Sequence, residues 1–110
     1  MTKTNIKNLP EGNYFTEWGY SQSYPYLEVS RTAKTVTIVP VTVDKDPEWH
    51  PHILPGGFAG HCDNQHEQTW LFKEVDRDHP RTIRLTTKGW SHKGTRFSEG
   101  VAREFYDWNF

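Results

Sequence analysis

The clearest periodic signal lies in residues 34–44, where Val36 and Ile38 alternate with Thr35 and Thr37 before the apolar phase moves to Val39, Val41 and Val43. Alternation of this kind marks a strand with one covered face. Pro40 stands at the phase change, and a bulge or sharp bend there is expected to re-aim the strand across a curled sheet, as small barrels require. Residues 24–31 place Leu27 and Val29 on one face and Tyr26, Glu28 and Ser30 on the other, with the Tyr24-Pro25 pair at the strand entry. A tight connection over residues 31–34 makes 24–44 a hairpin. Residues 13–18 form a short strand opened by the Glu11-Gly12 turn.

Further along, residues 67–75 put Trp70 and Phe72 on one face and Leu71 on the other. In residues 81–87, Ile83 and Leu85 face inwards while Thr82, Arg84 and Thr86 face out. Lys88-Gly89 and Lys93-Gly94 are turns bracketing short strands at 90–92 and 95–98. The aromatic ending, 103–110, is strand-like and is expected to dock on the body of the domain or on a neighbouring subunit. No window keeps a helical apolar period. Between the strands, residues 45–65 lose the pattern and become a long loop rich in Pro, Gly, His and Asn, a length that is uncommon and often functional. The expected fold is therefore mainly β: a small curled antiparallel sheet or an SH3-like, partly open barrel, one domain over residues 1–110, with a long loop at 45–65.

Composition explains how so few aliphatic residues make a core. The chain has 110 residues, of which 19 are Leu, Ile, Val or Ala and 16 are Trp, Tyr or Phe. Aromatic rings bury much surface each, so they supply what the aliphatics lack and leave a surplus for a ligand or another subunit. One cysteine, Cys62, makes no internal disulfide, and no stretch resembles a signal peptide or a membrane span. A soluble, cytoplasmic protein is expected. The net charge of −1 conceals a segregation: residues 44–76 carry seven acids against two lysines, and residues 77–103 carry seven Arg or Lys against two acids. Such asymmetry fits complementary surfaces in a homo-oligomer, or a basic site for an anion with an acidic face elsewhere.

Four groups of residues could carry chemistry. His61, Cys62 and His66, with His50 and His52 upstream, are possible zinc ligands, although their spacing matches no established finger or deaminase pattern and loop histidines often bond locally. A hydrolytic version would use His66 as base beside Glu67, Asp63 or Cys62. The glycine-rich 55–60 segment, which includes Phe58, reads as a compact loop whose glycines permit positive φ, lacking the strand and helix of a phosphate cradle. The basic hairpin region is the stronger candidate. Arg84 leaves the polar face of its strand, Lys88 and Lys93 flank successive turns, Trp90 lies between them, and Arg96 follows. Guanidinium groups bind phosphates bidentately and an exposed indole stacks on a base. The plain alternative is an exposed hairpin whose cations meet the acids of 44–76, with Trp90 buried. A second aromatic cluster, Tyr14, Trp18, Tyr20, Tyr24 and Tyr26, reads mainly as core or interface.

The run Val29-Ser30-Arg31-Thr32-Ala33-Lys34-Thr35-Val36-Thr37-Ile38, the 81–90 segment and the closing Arg103-Glu104-Phe105-Tyr106-Asp107-Trp108-Asn109-Phe110 resemble small uncharacterised proteins of phages and mobile elements. That likeness spans residues 24–110. The 29–38 hairpin also resembles phage sponge proteins that counter Thoeris defence by sequestering a cyclic ADP-ribose signal. The resemblance implies a small, β-rich, oligomeric binder without catalysis or cofactor; the His-rich loop departs from it.

Together these readings give a leading expectation: a phage counter-defence protein, acting in the cytoplasm of an infected bacterial host as a homo-oligomer that captures a small anionic, nucleotide-type ligand. Arg84, Arg96 and Arg31 would hold phosphates, with Lys88 and Lys93 nearby. Trp90 would stack on a base, and the Asn64 and Gln65 amides would read its edge. Two alternatives stand beside it. One is an inhibitor that binds a host defence protein or nuclease directly, with Asp44, Asp46 and Glu48 mimicking nucleic acid. The other is a small metal-dependent hydrolase built on His61, Cys62 and His66.

Overall fold

The structure, a computed structural model, describes residues 4–19, 22–54, 61–62 and 64–106, with backbone alone at 53, 54, 61 and 62. Expectations placed on Tyr20, residues 55–60 with Phe58, Asp63, the side chains of His61 and Cys62, and the tail residues Trp108 and Phe110 lie outside the described residues. The strands are β1 (Ile6–Lys7), β2 (Tyr14–Trp18), β3 (Ser23–Arg31), β4 (Thr35–Lys45), β5 (Ile53–Leu54), β6 (His61–Cys62), β7 (Trp70–Val75), β8 (Arg81–Thr86), β9 (Gly89–His92) and β10 (Thr95–Glu99). No helix among the described residues is long and apolar enough to cross a membrane.

The mainly β expectation holds, and the sheet closes. Strands β2, β3, β4, β8, β9 and β10 pair antiparallel in that order, and β10 returns to β2 to complete a six-stranded barrel. β7 pairs with the second half of β4 outside the barrel, and β1 lies parallel to β7. Lys93 (φ 50°) and Gly94 (φ 83°) both take positive φ in the β9–β10 turn, the conformation that a two-residue hairpin between right-twisted strands prefers.

Pro40 is not a bulge. Its register with β3 runs unbroken through Tyr26↔Pro40, Leu27↔Val39 and Glu28↔Ile38; the irregularities fall between Glu28 and Ser30, and between Thr42 and Val43 against β7. Instead, Pro40 marks a change of neighbour, since Thr35 to Ile38 pair with β8 and Val41 to Lys45 with β7. A residue in an antiparallel strand points its N–H and C=O to the same edge. Pro40 has no N–H to place at the gap between β8 and β7, and its carbonyl accepts from Asp76 N at 2.8 Å.

The apolar phase change thus records a change in which face is covered. Val36 and Ile38 point into the barrel with Phe15, Tyr26, Ile83 and Phe97, and Trp90 packs against them. Val39 and Val41 point outwards into a second core with Ile6, Tyr14, Leu27 and Ala102, closed by Leu9, Val43, Trp70, Phe72 and Val75. One inward expectation and one shared-face expectation fail in part. Leu85 has inward parity but is 45% exposed, and Val29 is exposed beside the β3 irregularity.

Predicted strand 67–75 starts three residues late, because Gln65–Glu67 form a 3-10 turn and Gln68 is tied back to it. Gln68 is 1% exposed and its amide is fully used. It donates to the Gln65 and Tyr106 carbonyls and accepts from Trp70 Nε1 and Tyr106 N, at 2.8–3.0 Å. Asn5 does similar work, bonding the Gln68 carbonyl and both the carbonyl and N–H of Glu104. The chain after β10 therefore docks on the body, as expected for its described part, held by these amides, by Thr16 and by the Ser23↔Phe105 bridge.

Gln68→Leu would strand four polar partners, so it is expected to lower unfolding free energy by roughly 2–4 kcal/mol, read as a fall in urea midpoint at unchanged slope. Glu104 generates a pH prediction. Burial raises its carboxyl from 4.5 to about 7. Between those values the folded chain holds a proton that the unfolded chain releases, so this group's stabilisation is complete below pH 4.5 and is lost as pH rises through 7. Wild type is expected to lose up to about 3 kcal/mol more than Glu104→Gln between pH 5 and 8 in urea titrations, the Asp46 contribution being confined to lower pH; parallel profiles would refute the assignment.

Candidate functional site

Alternation along the barrel strands sorts the charged residues by face. On β8, β9 and β10 the inward positions carry Arg81, Ile83, Leu85, Trp90, Phe97 and Glu99, and the outward ones carry Thr82, Arg84, Thr86, Ser91, Arg96 and Ser98. The outer face of these three strands therefore has cations and hydroxyls without an acid. The second core covers the outer side of β2, β3 and β4 instead, which leaves this face open.

Arg84, Ser91 and Arg96 lie in one cross-strand row, because Arg84 pairs with Ser91 and Ser91 with Arg96. The row extends to Thr35 on β4 at one end and to Trp18 on β2 at the other. A groove of about 400 Å³ lies over the Thr35, Arg84 and Ser91 end of this row, lined also by Thr82, Thr86, His92 and Lys93; Arg96 and Trp18 continue the row beyond its lining. A smaller hollow of about 120 Å³ shares Thr35 and reaches Thr32 and Thr37. Among the described residues, Arg84, Lys88, Lys93 and Arg96 make no ion pair and their side chains donate no hydrogen bond. Lys88 is at the β8–β9 turn and Lys93 at the β9–β10 turn, at opposite ends of β9, so only Lys93 lines the groove.

Arg31 and Trp90, both expected at the ligand site, meet at the barrel mouth, and Arg31 also lines the smaller hollow beside Thr35 and Thr37. The Arg31 guanidinium donates to Glu28 Oε1 (2.6 and 2.9 Å) and to Glu99 Oε2 (2.6 Å), and lies 5.5 Å from the centre of the Trp90 ring. Trp90 meets Phe15 edge to face at 5.9 Å and donates its Nε1–H to Glu99 Oε1 at 3.1 Å. Burial pushes the Glu99 carboxyl up, but donors from Asn13, Arg31 and Trp90 outweigh it and hold the group below its ordinary value. The opposite mouth repeats the device: Arg81 donates to Glu17 at 3.0 Å, Glu17 accepts from Tyr26 Oη at 2.7 Å, and Arg81 stacks 5.5 Å from the Tyr26 ring. Burial, then the Glu17 carboxylate, raises the Tyr26 phenol.

Asn64 and Gln65 are placed beside β7, away from the basic row. The Asn64 amide accepts from His52 N and donates to the His50 carbonyl, pinning the two sides of the long loop, while the Gln65 carbonyl receives Gln68. Neither joins Arg84 and Arg96. His66 is exposed, 3.6 Å from Glu67, and among the described residues no group of His, Cys, Asp and Glu is arranged to hold a metal.

The acids of 44–76 do not neutralise the basic face either. Asp46, 3% exposed, and Glu48 both meet Lys7 at 2.8 Å. Lys7, the Thr69 hydroxyl and Glu48 N–H bring the Asp46 carboxyl down to about 2. A nucleic-acid mimic using Asp46 would have to expose this buried anion. A second cavity of about 250 Å³ lies between Trp49, Trp70, Pro47 and Pro51, with the same Asp46 in its wall; that wall is unsuited to an anion.

Trp18, expected as core or interface, is not part of the core. It sits on the outer row, 39% exposed, with Nε1–H donating to Ser98 Oγ at 2.7 Å. Its parity with the Thr16 of the same strand carried the signal, but the surrounding tyrosines concealed it. Comparisons with protein-family models, curated proteins and solved structures gave no match to the chain.

Proposed function

We propose that the protein is a non-catalytic binding module that captures a small phosphate-bearing ligand on the open outer face of its barrel. The observation that carries this reading is the set of cations at Arg84, Lys93 and Arg96, beside four hydroxyls and without an acidic partner among the described residues, in a chain of net charge −1. Cations left apart from available acids repel one another, and a bound anion removes that repulsion. Guanidinium and hydroxyl groups both donate to phosphate oxygens, the former in bidentate fashion.

Sequestration asks only for tight binding and slow release, and such donors contribute to the first. Taken with the hairpin resemblance, the reading extends to a phage counter-defence sponge: a homo-oligomer, in the host cytoplasm, holding a nucleotide-derived signal. A calorimetric panel of pyrophosphate, ADP-ribose and cyclic dinucleotides tests it. At least one member is expected to bind and to be recovered intact after denaturation, with Arg84→Ala and Arg96→Ala each weakening it about tenfold or more, as loss of a charge-assisted bond does. Lys88→Ala, outside the groove, should leave it within about twofold. Binding by no member, or recovery of a cleaved product, would overturn the proposal.

A further inference from the structure

On the reading just proposed, we infer that the ligand is a nucleotide with at least two phosphates, its base lying on Trp18 and its diphosphate spanning Arg96 and Arg84. This assigns the stacking role to a different indole from the one in the basic hairpin. Trp90 is unsuited to it, since Phe15 covers it from inside the barrel and Arg31 lies over its ring. Trp18 is the exposed aromatic in register with the two free guanidinium groups.

Three features of the row define what fits. First, the order is fixed by pairing: Trp18 on β2, Arg96 on β10, Ser91 on β9, Arg84 on β8. Neighbouring strands are about 4.8 Å apart, so the indole and the far guanidinium are separated by about 14 Å of sheet, with Arg96 and a hydroxyl between. A base, a sugar and two phosphates in line cover such a path; inorganic phosphate touches one end of it. Second, the bond from Trp18 Nε1 to Ser98, two residues along β10 from Arg96, fixes the ring over the strand that carries that arginine. A ring held by its partner loses little entropy when a base stacks on it. Third, the row is closed beyond Trp18, because its next member, Ser23, is buried and bridged by Phe105. The ligand therefore extends from Trp18 towards Arg84 and not away from it.

Calorimetry with ADP and with pyrophosphate, on wild type, Trp18→Ala, Trp18→Phe and Arg84→Ala, tests the inference. ADP is expected to bind at least tenfold more tightly than pyrophosphate. Trp18→Ala should lose about tenfold in ADP affinity, the order expected of one base stacked on an aromatic ring, and leave pyrophosphate within about twofold. Trp18→Phe should keep most of the ADP affinity, which also separates stacking from misfolding, and Arg84→Ala should weaken both ligands. If ADP binds and Trp18→Ala leaves it unchanged, the base position is wrong while the phosphate site stands. If neither ADP nor pyrophosphate binds wild type, this inference fails; the wider panel above decides the reading on which it rests.

Discussion

Everything in this fold depends on β4, which uses both edges and both faces of a single strand. One edge pairs with β3, and the other is divided at Pro40 between β8 and β7. One face feeds the barrel core and the other the outer core. Barrel closure needs the β8 pairing, and the outer layer needs the β7 pairing, so the two layers meet at one residue without a donor. An amide N–H at position 40 would point into the gap between two strands, where an unpaired buried donor costs about 1–3 kcal/mol; proline removes the group that would need satisfying.

Placing the second core over β2, β3 and β4 settles where charge can go. Within the barrel, Arg31 and Arg81 each close a mouth, bonded to carboxylates and laid against an aromatic ring. These are cations whose surroundings were built to balance them. Arg84 shares β8 with Arg81 at an odd spacing and so faces the opposite way, and Arg96 on β10 faces the same side as Arg84. Strand parity alone separates an arginine bonded to carboxylates from one that makes no ion pair among the described residues. Net charge and residue content alone treat all four as equivalent.

Much of the fold was legible because alternation is local: the strands of the barrel, both short hairpin turns and the docking of the chain after β10 follow from nearest-neighbour pattern and turn chemistry. What was not legible depends on pairing between distant segments. The phase change at Pro40 has two explanations in sequence, a bulge or a newly covered face, and only the presence of β1, β7 and Ala102 on that face decides between them. The same holds for the site. The outward placement of Arg84 and Arg96 follows from strand parity, whereas Trp90, singled out for its basic neighbours, has inward parity against Leu85 and Phe97. The Asn64 amide was open to a ligand role in sequence because its partners, the His52 N–H and the His50 carbonyl, reach it through loop geometry.

The outer face of a barrel is convex, and this limits what a binding site there can do. Side chains on a convex surface diverge, so few of them surround a small anion, and most of a bound nucleotide stays in water. Affinity must then come from charge-assisted bonds spread along an extended ligand, and these are weakened by salt where they are exposed. Slow release, which sequestration demands, needs a cover over the open side. In the proposed function the homo-oligomer supplies it: a neighbouring copy facing the row of Arg84, Ser91, Arg96 and Trp18 would exclude water and strengthen each phosphate bond. Oligomer and ligand then become linked, each favouring the other, because a ligand that binds the assembled state better than the separated chain must stabilise assembly by the same free energy.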